Sequence, residues 1–315
     1  MQRALGPSGP SPQATRADID ASEPERPAAE QQERKIMPVR IVTDSAADLE
    51  AAEAKELGVE VVPLSIRFGS LEYTDGVDLS VEQFYDKLGS SDELPETAAP
   101  SPGAFETAFR RQADAGADAI VCINLSSGLS ATMQAAQNGA KALQGDIDVR
   151  VVDSRSITSG LAAQVRRAAQ AAADGADADA IESMVRDLAT RTHVIGALDT
   201  LDNLRKGGRI GGAQALLGSL LAIKPLLDIS TGEVAEAGRA RTRRKALQVL
   251  RDKVFERPAV EELTLAHGMA PDVDEMRELL SPRYPADQIR VAIIGATIGA
   301  HAGPRVMGVT WLDPA

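Results

Sequence analysis

AIVCINLSSGLSAT, residues 119–132, decides how the rest of the chain is read. The run Ala119 to Ile123 is unbroken apolar and too short for a buried helix, so it fits a strand covered on both faces. Three serines and a threonine follow it, and a helical period then runs from Leu129 to about Leu143. A buried strand that passes through a polar loop into a helix is the repeating unit of a parallel α/β sheet. Hydroxyls beyond the end of such a strand suit a nucleophile, a phosphate cradle or a clamp for a ligand head group.

The same alternation extends in both directions. Upstream, Val39–Thr43 reads as a strand, Asp48–Leu57 as a helix stopped by Gly58, Val59–Ile66 as a strand, and Val81–Leu88 and Gly103–Ala115 as helices. Downstream come a short strand at Val149–Val152 and Ala-rich helices over 158–174 and 178–191. After His193 the texture changes. Val194–Leu198 is a strand, and Ile223–Ile229 and Glu233–Arg239 flank a Ser-Thr-Gly turn and read as a hairpin. A helix over Thr242–Val254, strands near 263–266 and 289–294 and a helix near 272–280 complete the pattern. The expected fold is two-lobed α/β: a parallel-sheet lobe over 38–193 and an α+β lobe over 194–315.

Residues 1–36 are rich in Pro, Ser, Glu and Gln and lack apolar periodicity, the composition of a disordered tail. Met37 stands directly before the first strand and reads as a true or alternative start, which leaves translation of 1–36 open. The chain has 315 residues and a formal net charge of −12, which opposes binding to nucleic acid or anionic lipid. Aromatics make up only 3 %, too few for base-stacking surfaces. One cysteine, Cys122, excludes a disulfide framework, and with three histidines it argues against a zinc site. No apolar run has transmembrane length and no signal-peptide core is present, so a cytoplasmic protein is expected.

Six polar stretches carry the chemistry. TDSAADL (43–49) follows the first strand, where open sheets place ligands; its Ser45 or Asp48 also suits a helix cap. TAAPSPGAF (97–105) is a proline-stiffened loop with Thr97 just upstream and a cap at Ser101. In the opening stretch, Gly128-Leu129-Ser130-Ala131-Thr132 resembles a nucleophile elbow without its last glycine. A serine acyl hydrolase using Ser130, Asp153 and a histidine is the catalytic alternative. Without catalysis, the same hydroxyls at a helix start make an anion site. RKGGRIGG (205–212) matches neither a Walker loop nor a dinucleotide fingerprint; its glycines let backbone approach a ligand, with Arg209 a fixed cation. GRARTRRK (238–245) is a local positive patch, and GAHAGPRVMG (299–308) sets His301 among small residues, facing open space.

Taken in order, these stretches resemble the DegV family from about Val39 to Trp311. The family pattern of T-D-S-x-x-D-L, T-S-x-P-S, S-S-x-L-S-G-T, V-D-S, G-G-R-I and a late His-x-Gly-Pro-Gly reads here as TDSAADL, TAAPS, SSGLSAT, VDS (152–154), GGRI and HAGPR. The resemblance implies a two-domain α/β protein that is not itself an enzyme and needs no cofactor or metal. It implies a carrier that binds a long-chain fatty acid in a buried tunnel at the end of the N-terminal sheet. By position, Thr97 and Ser127, with Ser130 and Ser126 beside them, hold the carboxylate. A fatty acid kinase catalytic subunit then docks and makes acyl phosphate for phospholipid synthesis, with Arg209, Arg241 and His301 supporting the transfer. A monomer with no nucleic-acid partner and at most peripheral membrane contact is implied. Ala98, Ala131 and Arg305 depart from the family pattern; the last two replace glycines.

Overall fold

The computed structural model describes residues 38–91, 93–218 and 223–315. The tail expected over residues 1–36 lies outside these, as does the proposed start at Met37. Along the chain, β1 (Val39–Asp44) and α1 (Ala51–Glu56) are followed by β2 (Glu60–Val62), β3 (Ser65–Phe68), β4 (Leu71–Thr74) and α2 (Val81–Ser90). Next come β5 (Glu96–Ala98), α3 (Pro102–Asp114), β6 (Ala119–Asn124), α4 (Thr132–Lys141), β7 (Asp148–Asp153), α5 (Thr158–Ala173) and α6 (Ala178–Arg191). The remainder is β8 (Thr192–Ala197), α7 (Asp202–Lys206), β9 (Lys224–Asp228), β10 (Ala235–Ala240) and α8 (Arg243–Phe255). It ends with β11 (Glu261–His267), α9 (Val273–Leu280), β12 (Arg290–Ile293), α10 (Ala296–Ala302) and β13 (Met307–Leu312).

The fold is mixed α/β, with a parallel sheet and a separate mixed sheet. The first runs β2-β1-β6-β7, every pair parallel. All six residues of β6 are buried, which is why its sequence reads as a continuous apolar run. Cys122 lies within it, and burial pushes its thiol pKa well above the ordinary value. The second sheet runs β10-β9-β8-β13-β11-β12 and is antiparallel except between β11 and β12. Its β9 and β10 are the expected hairpin. One face packs on α8 and α9 around Trp311. The other joins α5 and the parallel sheet in the largest apolar cluster.

Two features depart from the pattern reading. The strand expected over Val59–Ile66 is split, because Pro63 has no N–H to continue the ladder. The chain leaves the parallel sheet after β2 and opens a small antiparallel sheet, β4-β3-β5. The pattern reading also placed no strand after residue 294, yet β13 sits third from one edge of the second sheet, paired on both sides. Buried along its whole length, it shows no polar alternation to reveal it.

Helix starts differ from expectation as well. Neither Ser45 nor Asp48 caps α1, whose N-cap is Glu50 without a side-chain bond. Asp44 instead accepts from Ala46 N at 3.1 Å, Leu125 N at 2.9 Å and Asn124 Nδ2 at 3.0 Å, joining the ends of β1 and β6. Ser45 donates to Asp75 Oδ2 at 2.9 Å, and Thr297 Oγ1 donates to the same oxygen at 2.6 Å. The start of α10 is therefore tied to the N-terminal part of the chain, and this aims His301 inward from its last turn.

Candidate functional site

An apolar cavity lies between the end of β6 and the inner face of the second sheet. It encloses about 1110 Å³, counting its open mouth. Its walls are mostly aliphatic, drawn from Leu125, Ile157, Val194, Leu227, Ile294 and Val306 among others. Thr97, Ser130, Arg209 and His301 also line it. Four motifs far apart in sequence thus meet at one place.

Each is positioned by a different element. Thr97 lies in edge strand β5, paired opposite Ile66 of β3. Its Oγ1 is 2.9 Å from His301 Nε2, across 204 residues of chain. Ser130 lies just before α4, with its Oγ 2.9 Å from Thr132 Oγ1. Arg209 donates from Nη1 to Gly207 O at 2.8 Å and from Nε to Leu129 O at 3.3 Å, bridging the two loops beside the cavity. These bonds leave guanidinium N–H groups over for a ligand.

His301 lines the cavity, as its small neighbours suggest, with Nε2 against Thr97. Its Nδ1 is buried and has no hydrogen-bond partner, and a Cβ on Gly207 would fall 2.3 Å from that atom. Burial, and then the Arg209 charge, push its pKa down to about 4, so the ring is neutral near pH 7. If Nε2 carries the proton and donates to Thr97, the Thr97 hydroxyl hydrogen is left to donate to an anion. The folded His301 binds its proton less tightly than an unfolded one with an ordinary pKa of 6.5. The unfolded chain therefore holds more protons below that pH, and stability is lost as pH falls from about 6.5 towards 4. The full loss is about 3 kcal/mol. Asp44, whose pKa burial raises to about 6, acts in the opposite sense in both wild type and variant. Urea unfolding of wild type and His301→Gln at pH 7 and pH 4.5 should show a smaller stability loss on acidification in the variant. Parallel losses would contradict the buried, neutral assignment.

The other expected residues do not line the cavity. Ser126 is buried and donates to Gly232 O in the β9–β10 turn, and it accepts from Gly128 N at 3.2 Å. Ser127 is exposed and donates to Asp153 Oδ2. Asp153 Oδ1 in turn accepts from Ser127 N and Arg155 N, at 3.2 and 2.8 Å. Both serines hold loops together: Arg155 Nη2 also donates to Thr231 O at 2.9 Å, fastening the same turn. Arg241 is exposed just past β10, away from the cavity lining. Its neighbour Arg243 is paired with Asp272 through Nε at 2.8 Å and Nη2 at 2.9 Å.

The hydrolase arrangement is not assembled among the described residues. His193 Nε2 meets Asp313 Oδ2 at 2.8 Å, His267 Nδ1 accepts from Ala270 N at 3.2 Å, and His301 meets Thr97. None of these bonds joins a histidine to Ser130 or Asp153.

Two departures from the family pattern have different outcomes. Arg305 adopts φ 60°, the left-handed region that a glycine enters freely, and its Nε lies 3.4 Å from Asp199 Oδ2. Ala131 has φ −78°, so the missing glycine costs nothing in backbone conformation there. Sequence reasoning missed Thr158, Thr297 and the strand glycines Gly196 and Gly308, all of which line the cavity. Glycine inside a strand is itself a signal of close approach by a ligand or another backbone.

Among the described residues, no group of His, Cys, Asp or Glu is placed to hold a metal ion, and no helix is long and apolar enough to cross a membrane.

This architecture, a parallel sheet and a separate mixed sheet, is shared with known proteins. Residues 38–313 match the model of the DegV family, described as uncharacterised proteins. A DegV domain-containing protein of Deinococcus radiodurans is 38% identical over 283 residues, covering 88% of this chain and 99% of the relative. A fatty-acid-binding DegV family protein from Thermus thermophilus has a TM-score of 0.81 and 32% identity, over 88% of this chain and all of that one. A stearic-acid-binding protein from Eubacterium ventriosum has a TM-score of 0.78 and 25% identity, covering 87% of this chain and 98% of that one. The chain belongs to the DegV family.

Proposed function

We propose that this protein binds a long-chain fatty acid, with the acyl tail in the apolar cavity and the carboxylate at Thr97 and Ser130. The observation that carries this reading is the distribution of polarity. The cavity is walled by aliphatic side chains, and its charged and imidazole groups, Arg209 and His301, gather with the Thr97 and Ser130 hydroxyls. Burial of each methylene is worth about 0.8 kcal/mol, so a long tail alone supplies most of the affinity. A carboxylate taken out of water needs hydrogen bonds, or it takes up a proton. Hydroxyl donors meet that need without a fully buried ion pair, and Arg209 adds a partly solvated cation. The fatty-acid and stearic-acid ligands of the related proteins support the same assignment.

The protein acts in this reading as a carrier without catalysis or cofactor of its own. A separate ATP-dependent kinase subunit docks at the mouth. One carboxylate oxygen bonds the γ-phosphorus as the bond to ADP breaks, giving acyl phosphate for phospholipid synthesis. Arg209 and His301 border the oxygen that accepts the phosphoryl group, and a cation there favours the developing charge. The protein works as a cytoplasmic monomer, touches membranes at most peripherally and has no nucleic-acid partner.

Denaturing extraction and mass spectrometry of freshly purified protein is the test. A stoichiometric long-chain fatty acid is expected. Protein that carries none and takes up none from added palmitate or oleate would refute the reading. Arg209→Ala is expected to keep its lipid and lose phosphorylation by the kinase; normal turnover would remove the role given to Arg209.

A further inference from the structure

The sheet face under the cavity is uneven. On β8 and just beyond it, Val194, Ile195, Gly196 and Leu198 border the cavity, Ile195 also packing in the cluster on the sheet's other face; on β13 and just before it, Val306, Gly308 and Thr310 do. Gly196 is paired directly with Gly308, and Gly308 with Ala266 of β11. Three neighbouring strands therefore contribute one methyl group between them along this row. The rows on either side carry full side chains: Leu198 and Val306 towards α7 and α10, Val194 and Thr310 towards α5. With strands spaced about 4.8 Å apart, the bare row forms a trough running across them.

The fold itself does not require these glycines. Neither has a positive φ. A Cβ at Gly196 would meet nothing nearer than 3.8 Å, and one at Gly308 nothing nearer than 3.5 Å, both ordinary contacts. Gly160 of α5 shows the contrast: a Cβ there would fall 2.3 Å from Ser156 Oγ and 2.6 Å from Val194 Cγ2. That glycine lets α5 press onto the sheet and close the cavity beyond Val194. Glycine weakens a central strand, where β-branched residues fit best. Two paired glycines on central strands, with open space above them, are explained by what that space takes in.

We propose that the acyl chain lies in this trough, crossing β8 and β13 over Gly196 and Gly308, and that the bare positions set the chain length the protein accepts. The inference rests on the fatty-acid reading of the cavity. Side chains added here project into the volume the tail fills, and a close-packed site has no slack to absorb them.

The test is lipid extraction from wild type, Gly196→Val, Gly308→Val and the two alanine variants, each offered an equimolar mixture of saturated C12 to C18 acids. The valine variants are expected to keep a stoichiometric ligand that is shorter by about two to three methylenes, because valine adds three heavy atoms to the trough. The alanine variants, whose Cβ meets only ordinary contacts, are expected to shift in the same direction by less. An unchanged distribution in folded valine variants would overturn the proposal. So would loss of all lipid from the valine variants with an unshifted distribution in the alanine ones. Wild-type protein that takes up no acid would instead refute the fatty-acid reading itself, so the two failures are distinct.

Discussion

Protein carrying Thr97→Val together with Ser130→Ala should stay folded and bind fatty acid about 10²- to 10⁴-fold more weakly, since each of the two hydrogen bonds to a charged acceptor is worth about 1.5–3 kcal/mol. Both hydroxyls border the cavity, Thr97 against His301 and Ser130 against Thr132 at the start of α4. Thr97 sits in the edge strand of the small antiparallel sheet, where valine keeps the strand preference. Removing the Ser130 hydroxyl takes a partner from both Oγ1 and N of the buried Thr132, a cost of about 1–3 kcal/mol. Occupancy by labelled palmitate, measured beside the thermal midpoint, reads the two effects separately. Ser127→Ala is the control: its hydroxyl faces Asp153, so wild-type occupancy is expected. An undiminished affinity in the double variant would sink the head-group assignment. Loss of lipid in the control would return Ser127 to it.

Trp311→Ala should cost about 3–5 kcal/mol of folding stability, the range for removing a large buried aromatic side chain. Trp311 is 2% exposed and lies in β13, opposite His193. The two rings stack with centroids 4.9 Å apart, Nε1 donates to Asp313 Oδ1 at 3.1 Å, and Arg257 covers the ring at 5.8 Å. Alanine removes the centre of the second apolar cluster and releases the C-terminal clasp together. The ring faces α8, away from the cavity, so lipid bound by the folded variant should keep its wild-type chain-length distribution. Urea unfolding reads the loss, and Trp311→Phe should recover a large part of it. A loss below about 1 kcal/mol would show that the site collapses around the smaller residue.

How much of this was legible in sequence depends on how locally each feature is specified. β6 and the loop after it could be read directly, because a six-residue apolar run between polar segments has few other meanings. Thr97, Ser130, Arg209 and His301 could be picked out as motifs. Their meeting could not be derived from spacing, because α10 is aimed by Asp75, whose partner Thr297 is 222 residues away. Ser126 and Ser127 show the limit most clearly. Consecutive hydroxyls in a turn point different ways, and only the positions of Gly232 and Asp153 reveal which way. β13 was hidden because both of its faces are covered, by α8 and α9 on one side and by α5 and the cavity on the other, so it carries no polar alternation. Arg241 and Arg243 differ by two positions in one cationic run; only the placement of Asp272 shows that Arg243 is already paired.

The cavity wall is assembled from residues on both sides of the molecule: Leu125 and Leu129 follow the parallel sheet, while Val194, Leu227 and Val306 belong to the mixed one. Whatever occupies that space touches both halves at once, as a rivet passes through two plates. Its binding energy therefore adds to the work of separating them, growing with the logarithm of free ligand once that exceeds the dissociation constant. On the fatty-acid reading, cargo is also mortar. The resistance of this fold to heat or proteolysis becomes a gauge of lipid supply.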